Sequence, residues 1–284
     1  MQNKISGLIP RQFKNIKEVE VAINAAMAAG RIIASSYGRV SGVEAKSVGD
    51  FVSETDKLAD KAITSKLRKK FPKVSIISEE LNPDSLESSD CCWIVDPLDA
   101  TSAFLFGQGS QSSVLIAYRE NQDTKLAVVY FPLSKTVYCA VKGKGAYCNG
   151  RRLDSTAKPK SLGQSWVNLN HYSNEAYETK NFKKINKALR SSRGAALVTT
   201  LAPYSGISAK IADPKEKIAA VIHDNSSKCI KQAIWDVLAP QLILEEAGGV
   251  FLDASGKRYD PNKPGLIVAA SSRRLADEIL GLLA

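Results

Sequence analysis

The sequence predicts a layered α/β (α+β) fold, and three features of its hydrophobic pattern support this prediction. Two amphipathic helices come first, strand-like runs follow over residues 92–148, and helix and strand patterns alternate from residue 166 onwards. Strands connected in series are typical of an antiparallel meander, and alternating helices and strands are typical of layered α/β architectures. A chain of 284 residues is long enough for one large domain or two packed domains.

The predicted N-terminal half begins with the two helices. Apolar residues recur at helical spacing over residues 16–37, after which Gly38 is a suitable C-cap, and again over residues 58–71, which Pro72 ends. A short strand is predicted at residues 74–78. Further along the chain, three runs predict the strands of the meander: 113–118, 125–131 and 136–141.

Residues 92–104, CWIVDPLDATSAF, connect these elements. The apolar run at their start predicts a buried strand that Asp96 and Pro97 end, because proline cannot extend a ladder. Asp99 and Thr101 then suit the first turn of a short helix. Two carboxylates on such a turn, beside helix-start amides, could bind divalent cations and a phosphate. These residues alone leave open the alternative that Asp96 is a turn residue and Asp99 an ordinary N-cap.

A polar stretch at residues 154–163 predicts the boundary between an N-terminal half, 1–153, and a C-terminal half, 154–284. Alternating patterns follow it. They predict strands at 166–169, 194–200, 219–223, 249–252 and 266–270, and helices at 177–189, 234–247 and 274–283. The second half therefore reads as a layered α/β unit.

Composition narrows the class of protein. The hydrophobic fraction of 44% and the charged fraction of 24% are those of a globular protein, and no apolar run approaches the length of a membrane span. The five cysteines lack zinc-like spacing, so we expect reduced thiols and a cytoplasmic location. A net charge of +10 favours anionic ligands. The basic residues are dispersed along the chain and are not interleaved with aromatic residues, so we do not expect a nucleic-acid-binding groove.

Five acids lie where a predicted strand ends or a predicted helix begins: Asp56, Glu79, Asp96, Asp99 and Asp236. Each has an ordinary interpretation as a turn or helix-dipole residue. Taken together, they occupy the edges at which open α/β folds place ligand sites. Clustered carboxylates repel one another unless cations neutralise them, and oxygen donors without histidine select Mg²⁺ or Mn²⁺ over zinc.

Three motifs carry a resemblance to a known family. Ser78-Glu79-Glu80 resembles G-E-E, residues 96–101 (DPLDAT) resemble D-P-[IL]-D-G-T, and residues 235–249 (WDVLA followed by EAGG) resemble W-D-x-A-A…E-A-G-G. Weaker similarities lie at residues 50–56 and 143–150. In this order, over most of the chain, the motifs resemble those of the inositol monophosphatase superfamily, whose members are lithium-sensitive, Mg²⁺-dependent phosphomonoesterases.

The resemblance implies an αβαβα five-layered sandwich, a homodimer and two or three Mg²⁺ ions, with Mn²⁺ as a substitute and Li⁺ as an inhibitor. Glu79, Asp96 and the Leu98 carbonyl would hold one ion, and Asp96, Asp99 and Asp236 a second. Glu79 would also help to activate water through a third, weaker ion. Thr101, oriented by Asp56, would position or deprotonate the water that attacks the phosphate in line.

Substrate contacts are also implied by the resemblance: Ala100, Thr101, Ser102 and Lys231. Ala100 replaces the usual glycine, which is unfavourable if its φ is positive. Cys229 occupies the position of an acid that binds inositol hydroxyls in inositol monophosphatases, and lysines flank it. The chain therefore resembles the 3′(2′),5′-bisphosphate nucleotidase branch, and the expected substrate is 3′-phosphoadenosine 5′-phosphate.

Two alternatives remain open at this point. One is an inositol-1-monophosphatase or a related sugar phosphatase. The other, of a different class, is a non-catalytic, basic nucleic-acid-binding protein with the same fold. In either enzymatic case the expected partner is a small anionic phosphomonoester, with no membrane association.

Overall fold

The computed structural model describes residues 7–47, 50–81, 91–159, 161–170, 180–191, 195–199, 205–224, 234–263 and 265–282. Within these ranges the α-helices are α1 (Lys17–Ser36), α2 (Glu54–Lys70), α3 (Thr101–Leu105), α4 (Lys180–Ser191), α5 (Ser205–Ile211), α6 (Ile234–Glu246) and α7 (Arg273–Gly281). The strands of the first half are β1 (Glu44–Ser47), β2 (Asp50–Val52), β3 (Ser75–Ser78), β4 (Cys91–Asp99), β5 (Ser113–Glu120), β6 (Asp123–Phe131), β7 (Thr136–Val141), β8 (Ala146–Cys148) and β9 (Arg151–Arg152). Those of the second half are β10 (Trp166–Asn170), β11 (Ala195–Thr199), β12 (Ile218–Asp224), β13 (Val250–Leu252) and β14 (Leu266–Ala270).

The strands form two large sheets and one hairpin. The seven-stranded sheet has the order β3-β4-β5-β6-β7-β8-β9, and all of its pairs except β3–β4 are antiparallel, so the predicted meander is confirmed. The five-stranded sheet has the order β11-β10-β12-β14-β13, in which β10 pairs in parallel with both β11 and β12. The β1–β2 hairpin stands apart from both sheets.

Alternation of side chains along the strands separates the core into three apolar layers. On one face of the seven-stranded sheet, Trp93 and Val95 pack with α1 and α2; on the other, Cys92 and Ile94 pack with α5, α6 and the five-stranded sheet. The outer face of the five-stranded sheet packs with α4 and α7. Successive side chains on a strand point to opposite faces, so each sheet buries both faces between helical layers. The αβαβα five-layered prediction is confirmed.

The prediction that Asp96 and Pro97 end their strand is wrong. β4 continues to Asp99, and its register with β5 shifts between Asp96 and Asp99. Proline is tolerated at such an irregularity because no ladder hydrogen bond is required from its nitrogen. Asp99 is therefore the last residue of a strand and not part of a helix.

Ala100 connects β4 to α3 in a left-handed backbone conformation, with φ 67° and ψ 47°. An L-residue with a Cβ pays a steric cost there that glycine avoids. The positive φ that is unfavourable for a residue other than glycine therefore occurs at Ala100.

Replacing Ala100 by Gly should raise the free energy of unfolding by about 1 kcal/mol. Relief of the left-handed strain, about 1–2 kcal/mol, outweighs the greater freedom of glycine in the unfolded chain. Urea unfolding would measure this as a higher midpoint at an unchanged m-value. Ala62→Gly, within α2, is the control and should lower the midpoint. A lower midpoint for Ala100→Gly would contradict the prediction.

The second half agrees with its predicted elements except in one place. The helix α5 follows β11 and was not predicted, since SGISAKI lacks a clear apolar period. Residues 177–179, predicted to begin a helix, lie outside the described residues. The predicted boundary stretch connects β9 to β10, and the division into halves at residue 153 stays a prediction. Across the described helices, none combines the length and apolar character needed to cross a membrane.

Candidate metal centre

Three carboxylates from the two halves of the chain meet at one point. Asp96 and Asp99 lie at the carboxyl end of β4, and Asp236 lies in the first turn of α6. One oxygen from each lies within 4.8 Å of the others. The helix α6 brings Asp236 there because its apolar residues pack against the sheet that contains β4. The three acids therefore lie close together, as predicted, although Asp236 is far from the other two in the sequence.

Burial and mutual repulsion make this carboxylate cluster electrostatically costly without a cation. Asp96 is 1% exposed and Asp99 is 4% exposed. Burial raises the pKa of Asp96 well above its usual range, and the charges of Glu79, Asp99 and Asp236 raise it further. Burial also raises the pKa of Asp99 to about 6, against the opposing effect of its hydrogen bonds. A divalent cation would favour the ionised form of each acid.

The stability of the metal-free protein should therefore fall as pH rises from about 4 through about 6. The folded protein holds the protons of Asp96 and Asp99 more tightly than the unfolded chain, so their stabilising contribution is lost as pH passes the folded pKa values. Because protons and cations compete for the cluster, the stabilisation by Mg²⁺ should be larger at pH 8 than at pH 5.

Thermal melts with EDTA or with Mg²⁺ at each pH would measure this difference. At a Mg²⁺ concentration about one hundred times its Kd, the expected gain at pH 8 is about 2.7 kcal/mol. Asp236→Asn should reduce the gain, whereas Asp253→Asn, in the exposed turn after β13, should not. An equal Mg²⁺ effect at the two pH values would contradict the prediction.

Thr101 and Asp56 form a hydrogen-bonded pair beside the cluster. The Thr101 hydroxyl lies 2.8 Å from Asp56 Oδ1 and 3.0 Å from the Leu98 carbonyl oxygen. Asp56 is fixed by a capping box, in which the Ser53 amide and hydroxyl donate to Oδ2 at 2.8 and 2.5 Å. Burial raises the pKa of Asp56, and the hydrogen bonds from Ser53 and Thr101 oppose that rise. Asp56 is therefore a buried acceptor, held by three hydrogen bonds from Ser53 and Thr101, that could receive one proton.

Glu79 follows β3, and it and its neighbour Glu80 both pair with the ammonium group of Lys46. The Lys46 ammonium donates to Glu79 at 2.9 Å and to Glu80 at 2.5 Å. Burial lowers the pKa of Lys46, but the two carboxylates outweigh burial and raise it. Glu79 is also close enough to Asp96 to raise the pKa of that acid. Lys46 therefore neutralises part of the negative charge at the edge of the cluster.

The other residues predicted for the site are Leu98, residues 100–102 and Lys231. The amide of Leu98 donates to Asp96 Oδ1 at 2.9 Å, and Leu98 itself is buried. Ala100 caps α3, and Thr101 and Ser102 begin it. Lys231 and Cys229 lie outside the described residues, so the role of Lys231 as a substrate contact stays a prediction.

Several residues that build the site were not predicted: Lys46, Ser53, Ser113, Ser205 and Gly206. Of these, only Ser53 had a sequence signal, because a serine three residues before an acid at a helix start matches a capping box. The others have common residue types in unremarkable contexts. Their importance follows from contacts between distant segments.

The family of the chain is decided by a comparison that covers nearly all of its length. A model described as the inositol monophosphatase family matches residues 15–284. The chain belongs to that family. The carboxylate cluster of this chain has the oxygen donors that Mg²⁺ requires.

Relatives in the family share the fold, and two of the three described below are named as phosphatases. A Nus factor SuhB of Haemophilus influenzae is 31% identical over 258 residues, covering 90% of this chain and 91% of that protein. A fructose-1,6-bisphosphatase/inositol-1-monophosphatase of Thermotoga maritima is 31% identical over 253 residues, covering 88% and 90%. A solved IMPase structure from Thermotoga maritima matches with a TM-score of 0.79 at 27% identity, covering 94% of this chain and 97% of that one. None of these three relatives is named as a bisphosphate nucleotidase.

Proposed function

We propose that this protein is a Mg²⁺-dependent phosphomonoesterase that hydrolyses a small phosphorylated metabolite. The observation that carries the proposal is the meeting of Asp96 and Asp99 with Asp236 beside the Thr101–Asp56 pair. An acid cluster alone could be structural. A buried cluster with raised pKa values, adjacent to a hydroxyl bonded to a fourth acid, has the parts needed to bind cations and to accept a proton.

The metal ligands in this proposal are those expected from the sequence. Glu79, Asp96 and the Leu98 carbonyl would hold one ion, with a third, weaker ion at Glu79. Asp96, Asp99 and Asp236 would hold another. The Leu98 carbonyl oxygen lies 3.0 Å from the Thr101 hydroxyl, and because the single hydroxyl proton is directed at Asp56 in this proposal, the carbonyl lone pairs remain available for an ion. Bound Mg²⁺ would supply charge neutralisation of the phosphate and would lower the pKa of water.

The protein's own contribution to hydrolysis is to orient water and to receive its proton. The Thr101 oxygen would accept a hydrogen bond from the attacking water, while its own proton stays directed at Asp56 Oδ1. Asp56 cannot turn away, because Ser53 holds its other oxygen with two hydrogen bonds. The amides of Ala100 and Thr101, together with Ser102, would bind the phosphate oxygens at the start of α3.

The identity of the substrate is the finer part of the proposal. The prediction of 3′-phosphoadenosine 5′-phosphate depends on Lys231 and its neighbours, which lie outside the described residues. The names of relatives favour inositol 1-phosphate or fructose 1,6-bisphosphate instead. We propose the phosphomonoester class for this chain and keep the three compounds as its candidate substrates. The homodimer and the cytoplasmic location stay predictions.

A substrate panel tests the proposal directly. Release of inorganic phosphate would be measured from 3′-phosphoadenosine 5′-phosphate, inositol 1-phosphate and fructose 1,6-bisphosphate with Mg²⁺, with EDTA, and with Mg²⁺ plus Li⁺. We expect release from at least one compound with Mg²⁺ and none with EDTA. Absence of Mg²⁺-dependent release from all three would overturn the phosphatase proposal.

A second candidate function comes from the relatives named Nus factor SuhB, whose similarity covers about nine-tenths of this chain. A non-catalytic role would make nucleic-acid or protein binding independent of the carboxylate cluster. Salt-sensitive RNA binding that is equal in the wild-type protein and in Asp96→Asn would favour this candidate. The complete set of acids favours the enzymatic proposal.

A further inference from the structure

Asp99 is held by donors from two other segments of the chain. It ends β4 directly opposite Ser113, the first residue of β5. The Ser113 hydroxyl donates to Asp99 Oδ2 at 2.8 Å, and the Gly206 amide at the start of α5 donates to the same oxygen at 3.0 Å. The Ser205 side chain also hydrogen-bonds to this carboxylate. All of these donors are neutral, so they orient the carboxylate without cancelling its charge.

Ser113 and Gly206 fit each other closely. A Cβ at position 206 would lie 2.1 Å from Ser113 Oγ and 2.8 Å from Asp99 Oδ2. Both distances are too short for ordinary contact, and the neighbours are buried: Ser113 is 0% exposed. The serine hydroxyl therefore occupies space that only glycine leaves open. Changing either residue should displace the carboxylate oxygen between them.

We propose that Ser113 is a positioning residue for the metal centre, which it serves by holding Asp99 through Oδ2 so that Oδ1 is presented to the cation. The inference rests on the proposed metal-dependent function. Hydrogen-bonding partners of a ligating carboxylate fix its rotamer, and losing one typically lowers metal affinity by about 10–100-fold. Gly206 has the complementary role, because its missing side chain makes room for the hydroxyl.

A purely structural role for Ser113 predicts a different result. In that case removal of the hydroxyl would lower the stability of the fold, as removal of any buried hydrogen bond does, and leave metal affinity unchanged. Ser155 supplies the matched comparison. It is equally buried, and its hydroxyl donates toward two carbonyl oxygens, of Ala247 and Ser271.

The test is Mn²⁺ binding, measured from the electron paramagnetic resonance signal of free Mn²⁺, in the full-length protein. Ser113→Ala should weaken binding of one Mn²⁺ by about tenfold, and Gly206→Ala should do the same or more. Ser155→Ala should keep the wild-type affinity while losing stability in urea. Ser113→Cys, which keeps the volume but replaces the hydroxyl by a weak donor, should behave as Ser113→Ala and serves if the alanine variant does not fold.

The outcomes separate this inference from the proposed function. Equal Mn²⁺ affinity of the wild-type protein and a folded Ser113 variant overturns the positioning role and leaves the phosphatase proposal intact. Failure of the wild-type protein itself to bind Mn²⁺ overturns both.

Discussion

Replacing Asp96 by Asn should reduce Mg²⁺-dependent phosphate release by at least about a hundredfold. This is more than the loss typical of a residue that only hydrogen-bonds to a metal ligand. Asp96 is the acid shared by both proposed ion sites, and the charges of Glu79, Asp99 and Asp236 all act on it to raise its pKa. An amide keeps the shape and still accepts the hydrogen bond from the Leu98 amide, but it contributes no negative charge. Phosphate release at saturating substrate, with Mg²⁺ titrated for each protein, measures the loss.

The same substitution should not lower the stability of the metal-free protein. Removing one charge from a buried carboxylate cluster relieves repulsion, so the urea midpoint in EDTA should equal or exceed that of the wild-type protein. This pairing of lost activity with retained stability separates a ligand from a structural acid. Asp253→Asn, whose carboxylate accepts hydrogen bonds from Ser255 and Lys257 of its own turn, is the control and should leave activity unchanged. Full activity of Asp96→Asn would contradict the proposed centre.

Hydrophobic periodicity predicted most of the fold, because burial governs the apolar pattern of the helices as well as that of the strands. The helix α1 has its buried residues on one face, and the sheets bury both faces of their strands. Each of these patterns extends over enough residues to be recognised locally. The five-layered order was implied by the family motifs, since periodicity does not determine which layers pack together.

The departures from local residue preferences lie at the candidate site. Proline predicted the end of β4, but an irregularity in register accommodates Pro97 and carries the strand to Asp99. Ala100 adopts a conformation that favours glycine, at the turn that presents Thr101. Both departures concern the same turn. Backbone geometry there is determined by the ligands it must orient more than by residue preference.

The acids of the candidate site could be predicted, whereas their supports could not. Asp96 and Asp236 belong to motifs whose order along the chain carries information. Ser113 and Gly206 are defined only by their fit to each other across the interface between β5 and α5. No single-sequence pattern encodes such a fit, because both residue types are common at strand and helix ends.

Replacing Asp56 by Asn should lower kcat by about 100- to 10,000-fold with little effect on Mn²⁺ affinity, because Asp56 accepts a proton in the proposal and binds no ion. The fold should survive, since the Asn carbonyl can face Ser53 and accept both capping hydrogen bonds. The amide nitrogen would then face Thr101, whose hydroxyl could donate only toward Leu98. Neither residue could pass a proton onward.

The Thr101 variants decide between proton transfer and a structural explanation of that loss. Thr101→Ser keeps the hydroxyl and should retain activity within about tenfold, whereas Thr101→Val keeps the shape and should lose as much as Asp56→Asn, since each breaks the same path. Glu54→Gln removes a different acid from the first turn of α2 and controls for the helix dipole. If Thr101→Val matched the wild-type kcat, the hydrogen bond between Thr101 and Asp56 would only fix α3 against α2. The base would then have to come from the acids around Asp96.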